Sequence, residues 1–255
     1  MKIRILGCSG GIGGRHLRTT SILVDNDILI DCGTGVADLS IAELAQIDHV
    51  FLTHSHMDHI ACLPLMIDTV GDLRNQPLTV HALPATAAIL RKHIFNGAIW
   101  PDFTEIPGSD APWLRFESVA VGQVVEMDGR RIVPLPVCHT VPAVAYQLDS
   151  GAASLVFSGD TGVCREFWEA VNAIANLKTL LIETAFSNRE RTMAEASLHL
   201  CPSLLFEELS HLRLRPDIFI THLKPGQIEL TMEEIENSIG EHKPRMLQNN
   251  QVFEL

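Results

Sequence analysis

The chain has 255 residues, 46% of them apolar and 20% charged, with a formal charge of −12. That length and apolar content suit one large domain with a full core and exclude a disordered chain, while no apolar run approaches the ~20 residues of a membrane span. The acid excess and the lack of any Lys/Arg cluster argue against a long polyanionic partner, because a nucleic-acid binder presents a basic face.

The opening MKIRILGCSGG is a short strand running into glycines. It lacks the apolar core and cleavage site of a secretory signal, so the cytoplasm is the expected compartment. KIRIL, SILV and ILID read as strands, and the apolar HVFL leads into THSHMDHI. A helix is expected from near His59 through CLPLMIDTVGDL, then a strand at LTVHAL and a helix at PATAAILRKHIF. Residues 95–113 read as an irregular loop carrying Trp100 and Trp113. Short strands follow in RFESVAVGQVVEMDGRRIVPLPVCHT, with a turn at Asp128-Gly129, and AVAYQLDSGAASLVFSGDT reads as a hairpin around Ser150-Gly151. REFWEAVNAIANL is an amphipathic helix, TLLIET a strand, CPSLLFEELSHLRL a helix, DIFITH a strand and TMEEIENSI a helix. Strands dominate the first half, and strand and helix alternate in the second. The expected architecture is α/β, a four-layer αββα sandwich, with residues 1–255 as a single domain.

His54, His56, Asp58 and His59 crowd six positions directly after a strand. There the backbone can direct His54 and His56 to one cation and Asp58 and His59 to another, and imidazole with carboxylate suits zinc at bonds of about 2.0–2.2 Å. Two cations need further donors. His139 follows IVPLPVC, Asp160 follows SLVFSG and His222 follows DIFIT, each at the end of an expected strand, where side-by-side strands bring ligands together. His139 would complete a set with His54 and His56, His222 would join Asp58 and His59, and Asp160 could bridge. The six cysteines, Cys8, Cys32, Cys62, Cys138, Cys164 and Cys201, contain no C-x-x-C pair and read as reduced, mostly buried thiols. Cys62 and Cys138 lie close in sequence to the candidate ligands.

The motifs THSHMDH, CHT, SGDT and THLKP resemble, in order, the metal motifs of the metallo-β-lactamase superfamily. The resemblance implies the αββα sandwich (metallo-β-lactamase fold, two mixed sheets) with a dinuclear site at one edge. It assigns His54, His56 and His139 to one metal, Asp58, His59 and His222 to the other, and Asp160 to both. Histidine at position 56, where the diiron oxygen-reducing branch has Glu, favours hydrolysis with zinc, and Asp160 disfavours the true β-lactamases. LGCSGGIGG, RKHIFNGAIWPDF, LLIETAFSN, ASLHLCP and ITHLKP are similar to the class II cyclic nucleotide phosphodiesterases. That implies hydrolysis of 3′,5′-cyclic AMP or GMP to the 5′-nucleotide, a small-molecule substrate and, from the family, a homodimer. Zn²⁺ is the expected metal, with Mn²⁺ or Fe²⁺ also compatible with such donors.

The chemistry has a physical basis. Two metals turn a bridging water into hydroxide for in-line attack on phosphorus and clamp the phosphate oxygens. Asp58 would orient that nucleophile as well as bind metal. His199 is the candidate general acid for the leaving 3′-oxygen, with Glu183 orienting it. Lys224 would contact a phosphate oxygen, Trp100 offers a flat surface to a purine, and Asn96 is a candidate for base or ribose. The run GGIGG at 10–14 lacks the lysine of a phosphate loop and runs into a strand, so it reads as a tight turn at the rim of the site. The cluster Glu233, Glu234 and Glu236 is expected to open the last helix. The nearest rival is a tRNA 3′-end endonuclease of the RNase Z type. Its usual form carries a long tRNA-binding arm where only residues 140–159 intervene here, and the net charge opposes tRNA. A non-catalytic metal-bearing sensor and a thioester or lactone hydrolase are further alternatives.

Overall fold

The structure is a computed structural model, and it describes residues 1–14, 16–238 and 242–255. The chain opens with β1 (Lys2–Gly7), β2 (Ser21–Val24) and β3 (Ile28–Ile30). A short helix, α1 (Ile41–Leu44), leads to β4 (His49–Phe51). Then α2 (Met57–Ile60) and α3 (Leu63–Val70) precede β5 (Leu78–Ala82), and α4 (Pro84–His93) precedes β6 (Leu114–Ser118). β7 (Val125–Met127), β8 (Arg130–Pro136), β9 (Val144–Asp149) and β10 (Ser154–Phe157) follow. The remainder is α5 (Arg165–Asn172), β11 (Leu177–Glu183), α6 (Arg191–Ser197), α7 (Pro202–Leu209), β12 (Asp217–Thr221), α8 (Ile228–Ser238), β13 (Arg245–Met246) and β14 (Val252–Glu254).

These strands build two seven-stranded mixed sheets, ordered β14-β1-β2-β3-β4-β5-β6 and β13-β12-β11-β10-β9-β8-β7. Alternate residues of each central strand point to opposite layers. Ile22 and Val24 face the other sheet and Leu23 the outer helices; Leu155 and Phe157 face inward and Val156 outward. Strands buried on both faces need apolar residues at nearly every position, which is why SILV and SLVF show no polar alternation. The inner layer joins Ile3, Ile5, Ile30 and Phe51 to Tyr146, Leu148, Phe157 and Leu181. The outer helices cover what remains. On α5, Phe167, Trp168 and Val171 turn one face to the second sheet, the spacing an amphipathic helix requires. This is the metallo-β-lactamase αββα sandwich.

Three local expectations are corrected. The helix expected from His59 through Leu73 is broken at Ala61-Cys62. Pro64 cannot donate a backbone hydrogen bond within a continuing helix and instead sits in the first turn of α3. The acidic cluster does not open the last helix: α8 begins at Ile228, so Glu233, Glu234 and Glu236 lie from its midpoint onward, and the Glu234 carboxylate accepts from the Asn188 N–H at 2.7 Å. Finally, α6 and the edge strands β13 and β14 have no counterpart in the expected elements; β14 pairs antiparallel with β1.

β8, β10, β11 and β12 run in one direction, since β9 is antiparallel to both β8 and β10 while β10, β11 and β12 are parallel. Their carboxyl ends therefore share one edge. The end of β4 is tied to that edge: the Val144 N–H donates to the Thr53 carbonyl at 3.0 Å, and the Tyr146 hydroxyl donates to the Leu52 carbonyl at 2.9 Å.

Candidate metal centre

Seven side chains from these strand ends and from α2 meet in two groups that share Asp160. Donor atoms of His54, His56, His139 and Asp160 lie within 4.8 Å of one another, and so do those of Asp58, His59, Asp160 and His222. One oxygen of Asp160 lies 3.5 Å from His54 Nε2; the other lies 3.3 Å from His59 Nε2 and 3.4 Å from His222 Nε2. His222 Nε2 is also 3.1 Å from Asp58 Oδ2, and His139 Nε2 is 3.2 Å from His56 Nδ1.

Three of the ring nitrogens that point away from the cluster are held from outside. His54 Nδ1 meets the Thr53 hydroxyl at 3.0 Å, His59 Nδ1 donates to Asp31 Oδ2 at 2.7 Å, and His139 Nδ1 donates to the Leu198 carbonyl at 3.1 Å. Such outer partners fix ring orientation and tautomer and leave the opposite nitrogen to face inward as a lone-pair donor. Inside, His54 Nε2, His59 Nε2 and Asp160 Oδ1 are buried with no hydrogen-bond partner among the described residues. Buried polar atoms are rarely left unpaired, and several converging orphans of this chemistry fit divalent cations.

Electrostatics agree with that fit. Burial pushes the pKa values of His54, His56 and His139 below the ordinary imidazole range, which keeps them neutral as ligands must be. Burial opposes ionisation of Asp58 and Asp160 too, but the facing imidazoles outweigh it and hold both carboxyls below the usual range. Burial also opposes charge on His59, yet Asp160 and Asp31 on its two sides raise its pKa. A position flanked by carboxylates in a dry setting favours positive charge.

Two glycines let the backbone close on this cluster. A Cβ on Gly10 would lie 2.4 Å from the His222 carbonyl oxygen, and one on Gly33 would lie 2.3 Å from that of Asp58. The glycine turn at 10–14 thus starts against His222, as a turn at the rim should.

His199 lies beside the cluster. Its ring stacks on His222 with centroids 5.2 Å apart and meets His139 edge-on at 5.0 Å, and its Nδ1 donates to Glu183 Oε1 at 2.6 Å. Burial disfavours a charged His199, but Glu183 outweighs it and the pKa is raised. Glu183 is fully buried and also accepts from the N–H groups of Thr161, Ala185 and Leu200. It is therefore fixed before it fixes His199. Lys224 holds its ammonium 5.1 Å from the centroid of Phe186, which packs on His199; no carboxylate meets it among the described residues.

The structure does not bring Trp100 or Asn96 to this group. Trp100 is half-buried and packs against the core on the outer face of the first sheet. Both ends of the Asn96 amide serve its own loop, donating to the Lys92 carbonyl at 3.0 Å and accepting from the N–H groups of Ala98 and Ile99 at 2.9 Å each. Trp113 is likewise a packing residue, laid against Gly71 and Phe103.

Sequence reasoning missed Asp31 and Thr53. Asp31 is fully buried with φ +57° and accepts from both the N–H and the hydroxyl of Thr53, each at 2.8 Å, as well as from His59. Its signal was available: a carboxylate ending the apolar run ILI must find donors in the interior. The Leu198 carbonyl was illegible, because it is aimed by a left-handed backbone at φ 52° that leucine rarely adopts.

This fold and donor set define a metallo-β-lactamase-fold hydrolase. A family model described as a beta-lactamase superfamily domain matches residues 26–235, and the chain belongs to that superfamily. Among curated proteins it is similar to a Ribonuclease Z of Halorubrum lacusprofundi, 27% identical over 58% of this chain and 47% of that protein; it thus spans about half the length of that relative. It is also similar to a probable 3′,5′-cyclic-nucleotide phosphodiesterase of Yersinia pestis, 25% identical over 87% of this chain and 77% of that protein. The solved structure of unliganded yeast PDE1 has a TM-score of 0.81 at 21% identity and covers 98% of each chain, a likeness of fold. No helix among the described residues is long and apolar enough to cross a membrane.

Proposed function

We propose that this chain is a dinuclear-metal phosphodiesterase that hydrolyses 3′,5′-cyclic nucleotides to 5′-nucleotides. The observation that carries the reading is the meeting, at one rim, of the seven-donor cluster, the His199–Glu183 pair and the ammonium of Lys224, which meets no carboxylate among the described residues. His54, His56, His139, Asp58, His59, His222 and Asp160 would hold a pair of divalent cations, which when bound would supply an acidified water and positive charge for the phosphate oxygens.

The chain's own groups do the rest. Asp58, with 29% of its side chain exposed, accepts a hydrogen bond from the attacking water and aligns it with phosphorus. As the P–O3′ bond breaks, His199 Nε2 gives its proton to the 3′-oxygen, while Glu183 holds Nδ1 and stabilises the charged ring beforehand. Lys224 meets a phosphate oxygen as a point charge. Such an ester is small and singly charged, in keeping with an acidic protein.

The extent of the similarity to the Yersinia protein supports this substrate class over tRNA. So does the compact β9–β10 hairpin, which occupies residues 144–157 and leaves no room for an arm. The similarity to Ribonuclease Z favours a second reading, a nuclease on tRNA ends. A side-by-side assay of the purified chain, with metal analysis, on cyclic AMP, cyclic GMP, 2′,3′-cyclic nucleotides and a tRNA precursor separates the two. The expected product is a 5′-nucleotide from a 3′,5′-cyclic substrate. Cleavage of the precursor with cyclic nucleotides untouched would replace this proposal with the second.

A further inference from the structure

Outside the seven-donor cluster, Cys138, Cys164 and Glu166 form a separate group whose ligand atoms lie within 4.8 Å of one another. Cys138 ends the segment after β8, and Cys164 is the residue on which α5 starts. The Cys164 thiol lies 3.8 Å from Glu166 Oε2, and the Cys138 sulfur lies within 4.8 Å of both. Cys164 is buried, Cys138 half-buried and Glu166 exposed, so the group has a dry floor and an open mouth. Neither the phosphodiesterase reading nor the mechanism above uses any of the three.

We propose that Cys138, Cys164 and Glu166 form a thiolate site for a thiophilic divalent cation of the zinc or cadmium type, distinct from the histidine–aspartate centre. Two sulfurs and one oxygen supply three donors of a tetrahedron, and the open mouth leaves the fourth to water. Softness separates the two places: sulfur selects cadmium and zinc over magnesium or manganese, which the nitrogen and oxygen donors of the other centre also accept. A disulfide is the weaker reading of the same pair. A carboxylate beside the pair has no role in a disulfide and an evident one in a cation site.

The site shares backbone with the catalytic region. The Cys138 N–H donates to the Thr161 hydroxyl at 3.3 Å and its carbonyl accepts from the Gly162 N–H at 2.8 Å. His139 and Asp160 flank these contacts, so a cation drawing the two sulfurs together fixes the segments that present both. The binding claim itself is independent of the substrate assignment.

The test is a titration of the reduced full chain with Cd²⁺, following the ultraviolet thiolate-to-cadmium charge-transfer band. The histidine–aspartate centre has no sulfur and is silent in that band. The wild-type chain should develop a saturable band, Cys138→Ser should lose it, and Glu166→Gln should keep it with affinity lowered by about tenfold. Glu166 is exposed, so its variant keeps the proposal testable even if the cysteine variant fails to fold. Three results would overturn the site: no band in the wild type, the same band in a folded Cys138→Ser, or unchanged affinity in Glu166→Gln. A band surviving in Cys138→Ser would move the cation to Cys32 and Cys62, whose backbones meet at 2.9 Å.

Discussion

Among the described residues, buried or half-buried histidines meet in two places, and these differ in what their inner nitrogens find. At the carboxyl edge of the sheets, outer partners hold His54, His59 and His139 while the opposite nitrogens face Asp160 or one another. On β4 and β5 within the first sheet, His49 Nδ1 and His81 Nε2 lie 3.0 Å apart and satisfy each other, and His81 stacks on Phe51 at 4.2 Å. The nearest carboxylate, Glu117, is 3.6 Å from His81 and 54% exposed. Burial of imidazoles is common to both; only the first has orphaned nitrogens converging on a buried carboxylate. That convergence, not the presence of histidine, marks the candidate metal centre.

The contrast is most easily broken at Asp160. Asp160→Ala should remove the shared oxygens and abolish both bound metal and phosphodiesterase turnover, read by elemental analysis and by rate; full metal content with normal turnover would dissolve the centre as described. His199→Ala comes next, with a loss of about 10²–10⁴-fold in turnover and unchanged metal content. Loss of metal along with rate would recast His199 as part of the metal framework. Asp31→Asn keeps the shape of the outer partner but weakens its hold on His59, and should lower metal affinity or activity by about 10–100-fold. An affinity equal to the wild type would mean that Thr53 and the backbone orient His59 by themselves.

The smallest effect belongs to the second pair. Burial lowers the His81 pKa from 6.5 to about 4. The unfolded chain therefore binds a proton that the folded chain refuses across that interval. Stability is fully present above pH 6.5, falls as pH drops toward 4, and loses at most about 3 kcal/mol from this residue. In His81→Gln, which cannot titrate but can still bond to His49, urea unfolding should show a shallower decline over that range with metal content untouched. An identical slope would place the acid sensitivity elsewhere.

How much of this was legible depends on whether the signal lies within one segment. THSHMDHI puts four candidate ligands within reach of one turn, and His139, Asp160 and His222 each end an apolar run, so the donors that the fold brings together could be picked out without coordinates. The strand-rich first half and the alternation of strand and helix in the second likewise pointed to stacked sheets covered by helices. Asn96 and Trp100 show the opposite case: a polar residue in a long loop and an indole beside it suggested ligand contacts, while folding tied the amide to its own loop and packed the indole against the core. Nothing in their local sequence distinguishes the two fates.

By itself the sequence determined which residues carry donor chemistry and where strands end, because periodicity and residue type act over a few positions. Only the tertiary structure decided which donors share Asp160, that Asp31 and the Leu198 carbonyl hold the imidazoles from outside, and that Cys138 and Cys164 approach each other beside His139. Those relations join segments far apart in the chain, and they exist because parallel strand ends are brought to one edge when the two sheets bury their inner faces.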